Sequence, residues 1–244
     1  MPLKRIHFIF FLTLIAVFIL PSLSTLQAQP SLSHRQLDQA RRAWIYVPPG
    51  FAIRVWANEP GITAMTFDDE GRMFASTIFG GQILILDDAD YNGTAEIRTV
   101  FAGGLDTPLG LIFAGEKLFV TARHQIFALQ DTNHDDQADS VESVVEGLPV
   151  GNPGTTQSIH QTNGIVLGPD GLLYVSQGAV GNAEELTQPW EGTVFTVDPT
   201  TYQQSLFAEG FRNPYALVFD AHGHLLVTDN GADHLDEYEL EDAP

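Results

Sequence analysis

The sequence predicts an all-β chain built as a β-propeller of four-stranded blades. Three observations carry this: a repeat of about fifty residues, short apolar strands parted by turn residues, and the near absence of helical periodicity. Four segments superimpose, at 62–76, 107–121, 162–176 and 213–228. Each is an apolar strand, a polar turn and a second apolar strand ending in Ser or Thr. The turn positions Gly71, Glu116, Gly171 and Gly223 lie 45, 55 and 52 residues apart. A third strand follows each pair, at 82–86, 125–129, 193–197 and 236–240, and a fourth follows the first three, at 96–102, 141–145 and 203–208. Four strands per unit at this period describe a propeller blade. Residues 51–57 read as an outermost strand without a blade of its own. Together with 236–240 they would either close a ring of four blades or form the two ends of a larger ring, and the larger ring is preferred.

The first 28 residues have the layout of a secretory signal peptide. Lys4 and Arg5 precede an apolar run over 6–20, Pro21 ends it, and Ala28 follows Leu26-Gln27 as the last leader residue. The run is shorter than the ~20 apolar residues of a spanning helix. The expected division is a signal peptide over 1–28, a lead-in over 29–46 with one helix at 33–44, and the propeller over 47–244. The expected location is the periplasm or the exterior, with no stable membrane insertion after cleavage. The whole chain has 11 basic and 31 acidic residues, a formal charge of −20. A surface of that sign repels nucleic acid and anionic lipid, so neither is expected as a partner. The absence of Cys excludes disulfides, thiolate metal sites and a cysteine nucleophile.

Antiparallel blade topology sorts the polar residues into two ends. Loops that lead into the first strand or join the second to the third open on one face, the mouth; the other loops open opposite. His160, Arg212 and Asn213, which precede or open first strands, belong to the mouth. So do Gly178 and the run Asp229-Asn230-Gly231-Ala232, which follow second strands. Two acidic turns belong to the opposite end. The runs 88–96 and 131–139 place oxygen at the first, third, fifth and ninth positions of an EF-type calcium loop, and Glu142 stands at the twelfth of the second. Asp131, Asn133, Asp135 and Asp139 are therefore candidate calcium ligands. Asp136 replaces the turn glycine of that pattern. A solvated Asp/Asn turn is the plainer account of both runs.

With these positions set, a family resemblance emerges. The stretch from Ser158 through His160 to Gly178 (SIHQTNGIVLGPDGLLYVSQG) resembles the histidine segment of the soluble pyrroloquinoline quinone (PQQ) dependent glucose/sorbosone dehydrogenases. Further on, GFRNPYALVF from Gly210 and TDNGADHLDEYEL from Thr228 are similar to that family's Arg-Asn-Pro segment and calcium loop. VPPGF from Val47, LDTPLG from Leu105 and the Asp-rich turns are similar to its sorbosone and pyranose branch. The resemblance runs from about Val47 to the end of the sequence. It departs at Ala179, where the family carries Asp after the glycine, and at Ile159, where an acid is frequent.

The resemblance implies a six-bladed propeller, of which about four blades stand in this sequence, with PQQ over the channel and calcium beside it. It implies a sugar as substrate and an electron acceptor that the residues do not identify. His160 would take a hydroxyl proton while hydride passes to the quinone; a neutral imidazole, with a reference pKa near ~6.5, suits that task. Arg212 and Asn213 would contact the quinone, the guanidinium stabilising the charge gained on reduction. The backbone carbonyls of Gly231 and Ala232 would hold the activating calcium, and Asp236 and Glu237 a structural one. The expected activity is that of a quinoprotein sugar dehydrogenase. The alternative is a noncatalytic propeller binding a carbohydrate or a protein at the same mouth. A lactonase-type hydrolase would need metal-ligating side chains converging from several blades, and only scattered candidates are present.

Overall fold

The strands fall where the repeat predicts them, to within a residue or two at their ends. The computed structural model describes residues 8–12, 14–18, 47–150, 160–181 and 185–231. The helix expected at 33–44 and the strand expected at 236–240 lie outside these. Among the described residues there is no helix. The chain divides into two compact units, Met1–Gly61 with Leu86–Arg98, and Ile62–Ile85 with Thr99–Pro244.

In the first unit, β1 (Phe8–Leu12) pairs antiparallel with β2 (Leu14–Phe18), both within the expected leader. Among the described residues no helix is long and apolar enough to cross a membrane. The strand expected at 51–57 is not formed; only Val55 makes a bridge. The Trp56 carbonyl instead accepts the N–H of Ala95 at 2.8 Å, which ties this segment to the turn over 88–96 rather than to a ladder.

Three four-stranded meanders and one hairpin follow. The first contains β3 (Ile62–Phe67), β4 (Met73–Thr77), β5 (Gln82–Asp87) and β6 (Ile97–Ala102) in that order. The second runs β7 (Leu111–Ala114), β8 (Lys117–Ala122), β9 (Gln125–Gln130) and β10 (Ser140–Val145). The third is β11 (Thr162–Leu167), β12 (Leu173–Gln177), β13 (Thr193–Val197) and β14 (Gln204–Glu209). The last pair, β15 (Pro214–Phe219) and β16 (Leu225–Asp229), opens a fourth unit. These are blades of a β-propeller, and the second strands β4, β8 and β12 are buried at nearly every position because both of their faces are covered.

Side-chain alternation decides what each face covers. Leu111, Leu118 and Val120 of the second blade pack with Phe74, Ile83, Ile85 and Phe101 of the first. The opposite face of the second blade, with Phe119, packs with Ile165, Leu173 and Val175 of the third. Tyr174, facing the other way, stacks edge-on against Phe219 of the fourth unit at 5.0 Å.

The Ser or Thr that ends each second strand stitches one blade to the next. Ser76 Oγ accepts the N–H of Ala64 at 3.2 Å within its blade and donates to the Leu109 carbonyl of the following blade at 2.7 Å. Thr121 Oγ1 accepts from Gly110 N–H at 2.8 Å and donates to the Asn163 carbonyl at 2.5 Å. Ser176 Oγ accepts from Gly164 N–H at 2.9 Å and lies 3.4 Å from the Tyr215 carbonyl as donor. Each hydroxyl thereby satisfies a backbone N–H at the start of the first strand, where β3 and β11 bulge, and a carbonyl across the blade boundary. Gly164 permits the approach, since a Cβ there would lie 2.5 Å from the Tyr215 oxygen.

Candidate active site at the propeller mouth

The loops that the sequence assigned to one end do converge. His160 leads into β11, Gly178 and Ala179 follow β12, Arg212 and Asn213 lead into β15, and Asp229 and Asn230 end β16. Backbone bonds join them: Gly178 N–H donates to the Gln161 carbonyl at 3.0 Å, Ala179 N–H to the Arg212 carbonyl at 2.7 Å, and Asn230 N–H to the Asn213 carbonyl at 3.1 Å. Asp229 caps the turn, accepting from the N–H of Asn213 at 2.8 Å and of Arg212 at 3.2 Å.

His160 is buried, with 6% of its surface exposed. Its Nδ1 lies 2.9 Å from the Ala179 carbonyl oxygen. A carbonyl only accepts, so Nδ1 carries the hydrogen and, in the neutral ring, Nε2 carries the lone pair. The backbone carbonyl of Ala179 thereby sets the orientation of the imidazole. Gly178 is the wall between the two key side chains: a Cβ there would lie 2.7 Å from His160 Cβ and 2.8 Å from Asn213 Oδ1.

Arg212 donates from Nη1 to the Asn230 carbonyl at 3.2 Å. Asn213 is buried, and its Oδ1 accepts from Asn163 Nδ2 at 2.8 Å. Four buried polar residues that sequence reasoning missed support this cluster. Asn163 binds Asn213 and the Pro214 carbonyl, the latter also at 2.8 Å. Gln161 bridges to Thr107 of the neighbouring blade, donating to its carbonyl at 3.0 Å and accepting from its hydroxyl at 3.1 Å. Gln177 accepts from Thr162 at 2.8 Å and donates to the Pro149 carbonyl at 2.8 Å. Glu191, 3% exposed, accepts the N–H groups of Val180 at 3.0 Å and Gln188 at 2.8 Å. In the sequence the residues at 161, 163 and 177 read as ordinary polar alternation, and only their burial in the fold marks them.

Of the candidate metal positions at the mouth, Gly231 is exposed. Ala232, Asp236 and Glu237 lie outside the described residues.

The two acidic turns share one architecture at a spacing of 43 residues. Asp88 accepts from Asn92 and Gly93 N–H, each at 2.9 Å, and Asp131 accepts from the equivalent Asp135 at 3.3 Å and Asp136 at 2.9 Å. Glu96 accepts from Ala89 N–H at 2.8 Å, as Asp139 does from Thr132 N–H at 2.7 Å. Asp136 adopts the left-handed backbone, φ 66°, that Gly93 adopts in the first turn at φ 91°. Arg72 holds it there with a 2.5 Å ion pair.

Ligand oxygens of Asp88, Asp90 and Glu96 lie within 4.8 Å of one another. In the second turn an amide replaces the middle acid, and Asn133 Nδ2 donates to Asp139 at 3.1 Å and to Asp135 at 3.3 Å. Glu142 is engaged elsewhere, its carboxylate accepting from the Tyr202 hydroxyl at 3.3 Å. The second turn also lines, with Asp68 and Arg72, a cavity of about 390 Å³ floored by Phe74 and Phe101. The second turn therefore lies at the same end of the blades as the turn between β3 and β4.

Solved structures with this fold include the PQQ domain of a pyranose dehydrogenase from Coprinopsis cinerea in its holo form. It matches with a TM-score of 0.58 and 16% identity over 71% of this chain and 44% of the other. The PQQ-bound aldose sugar dehydrogenase of Streptomyces coelicolor matches with a TM-score of 0.58 and 17% identity over 71% of this chain and 57% of the other. A calcium structure of a family AA12 carbohydrate-active enzyme from Trichoderma reesei gives 0.57 and 17%, over 71% and 46%. This chain therefore spans about half the length of these proteins, and at such identity the likeness is one of fold. No curated protein matches the sequence. A family model described as "Domain of unknown function (DUF7133)" matches residues 38–243, and on that match the chain belongs to the DUF7133 family.

Proposed function

We propose that the mouth is the site of a quinoprotein sugar dehydrogenase, with His160 as general base and Arg212 and Asn213 as the contacts to PQQ. The observation that carries this is the convergence of His160, Arg212 and Asn213 around a glycine wall, with the histidine's tautomer set by the Ala179 carbonyl. The donor set suits the cofactor. A guanidinium and a carboxamide offer N–H groups to carbonyl and carboxylate oxygens, and the absence of a Cβ at Gly178 keeps that wall flat.

PQQ, when bound, supplies the hydride acceptor. The chain's own residues would do the rest. His160 Nε2 would take the hydroxyl proton of the sugar, its tautomer being set beforehand by the Ala179 carbonyl. Arg212, tied to the Asn230 carbonyl, would place a fixed positive charge beside oxygen that gains electron density. Calcium at the Gly231 and Ala232 carbonyls belongs to the same proposal, as does structural calcium at Asp236 and Glu237. We further propose calcium at Asp131, Asn133, Asp135 and Asp139, by analogy with the three clustered carboxylates of the first acidic turn. The proposed location is periplasmic or extracellular, following cleavage after Ala28.

Aldose-dependent dye reduction by the full chain, supplied with PQQ and calcium, tests the reading. Turnover that falls ~10²-fold or more in His160→Ala is expected for loss of a general base. Undiminished turnover in that variant removes the role assigned to His160. Sugar binding without any turnover would favour the noncatalytic module instead.

A further inference from the structure

We propose that Asn163 is a positioning residue that fixes the side-chain amide of Asn213, so that the mouth presents a hydrogen-bond donor at that point and selects ligand groups that accept. The use of this device by a ligand rests on the site reading above; its geometry does not.

Asn163 is 4% exposed on β11, behind the mouth. Its Nδ2 lies 2.8 Å from the Pro214 carbonyl and 2.8 Å from the Asn213 amide. The carbonyl only accepts, so the Asn163 NH₂ group must be the atom facing it. The second hydrogen of that NH₂ then points at Asn213, which must answer with Oδ1. The Asn213 Nδ2 is therefore turned away from Asn163. Among the described residues this Nδ2 meets no acceptor, and no buried side-chain nitrogen or oxygen there lacks a partner, so it opens to solvent.

The backbone of Asn213 is held on both sides, its N–H by Asp229 at 2.8 Å and its carbonyl by Asn230 N–H at 3.1 Å. A flipped amide would set NH₂ against NH₂ in a buried contact, a loss that disfavours the flipped form by roughly ten- to hundredfold. The site is thereby biased in chemistry: the fixed N–H of Asn213 and the guanidinium of Arg212 both donate. Carbonyl and carboxylate oxygens fit such a pair, and a group that can only donate does not.

Side-chain amide exchange measured by NMR on the full chain tests the lock without any ligand. In the wild type the Asn163 NH₂ should be protected and the Asn213 NH₂ should exchange at least tenfold faster. Protection of Asn213 in the wild type overturns the proposal. Asn163→Asp removes the inward donor, so Asn213 should turn its NH₂ inward and become protected by tenfold or more; unchanged exchange also overturns it. Asn213→Asp serves as a second variant, because it keeps both Asn163 donors satisfied while placing a carboxylate oxygen at the mouth. PQQ is the probe for use of the lock, and both variants should bind it at least tenfold more weakly than the wild type. Equal PQQ affinity in wild type and both variants overturns the selective role. Failure of the wild type to take up PQQ would instead count against the quinone reading, leaving the exchange measurement to decide the lock.

Discussion

A single backbone carbonyl governs the chemistry open to His160. Because Ala179 offers only an acceptor, the imidazole is held as the Nδ1–H tautomer whatever occupies the mouth. Gly178 has an equally local role, and Gly178→Ala tests it: the new methyl meets His160 Cβ at 2.7 Å and Asn213 Oδ1 at 2.8 Å, so one of them must move. The expected result is a loss of turnover of about tenfold or more with little change in thermal stability, measured by kinetics and melting on one preparation. Unchanged turnover would show that the two side chains do not act together. The convergence of His160, Arg212 and Asn213 was legible in the sequence because the repeat placed them in loops at one end of the blades. Asn163, Gln161 and Gln177 were not, since they sit on or beside a strand and look like ordinary polar alternation until burial is known. Glu191 lies in a loop of no regular period, and while its partner Gln188 is three residues away, Val180 is brought to it by the fold.

Within the blades, the Ser/Thr stitch carries the boundary from one unit to the next. Thr121→Val removes a hydroxyl that is fully buried and serves both Gly110 N–H and the Asn163 carbonyl. Leaving buried backbone groups unpaired costs about 1–3 kcal/mol, so the melting temperature should fall by several degrees. A change within error would mean that the blades are held by apolar packing alone. The sequence showed a Ser or Thr at the end of each second strand but gave no reason for it; the reason lies across the blade boundary, where a one-dimensional pattern has no reach. The acidic turns carry a pH signature. Hydrogen bonds to Asp139, first from the Thr132 hydroxyl and then from backbone N–H groups, hold its carboxyl below the usual 3.8. A carboxylate with a depressed folded pKa stabilises the turn above that value and ceases to do so as the pH falls through it. An NMR titration of the Thr132 amide should therefore show a midpoint below 3.8, and a midpoint at or above 3.8 would contradict the bond pattern.

Across the molecule, the fourth unit differs from the others in what its outer face meets. Thr228 Oγ1 accepts the N–H of Ala216 at 3.1 Å, as Ser76, Thr121 and Ser176 do for their own blades. Yet Thr228 and Ala216 are exposed, and beside them Val218 and Leu226 are each 55% exposed, where Phe74, Phe119 and Tyr174, the residues equivalent to Leu226, are buried. Apolar sheet faces of this kind promote association. Leu226→Lys should raise the soluble monomer fraction in size-exclusion runs without lowering the melting temperature, whereas Lys in place of its buried equivalent Phe119 should unfold its blade. The repeat thus foretold the meanders, and the fold comparisons agree with it. The strand expected at 51–57 failed because its backbone is committed to the acidic turn, a contact that hydrophobic pattern does not report. The claim that joins these scales is that the blades exist to hold His160, Arg212 and Asn213 around a bound quinone. Titration of the full chain with PQQ in calcium, followed by dye reduction on adding aldose, tests it most directly. The account predicts saturable PQQ binding and sugar-dependent turnover that His160→Ala abolishes while binding persists; absence of PQQ binding by the folded wild type, or turnover indifferent to His160, would contradict it.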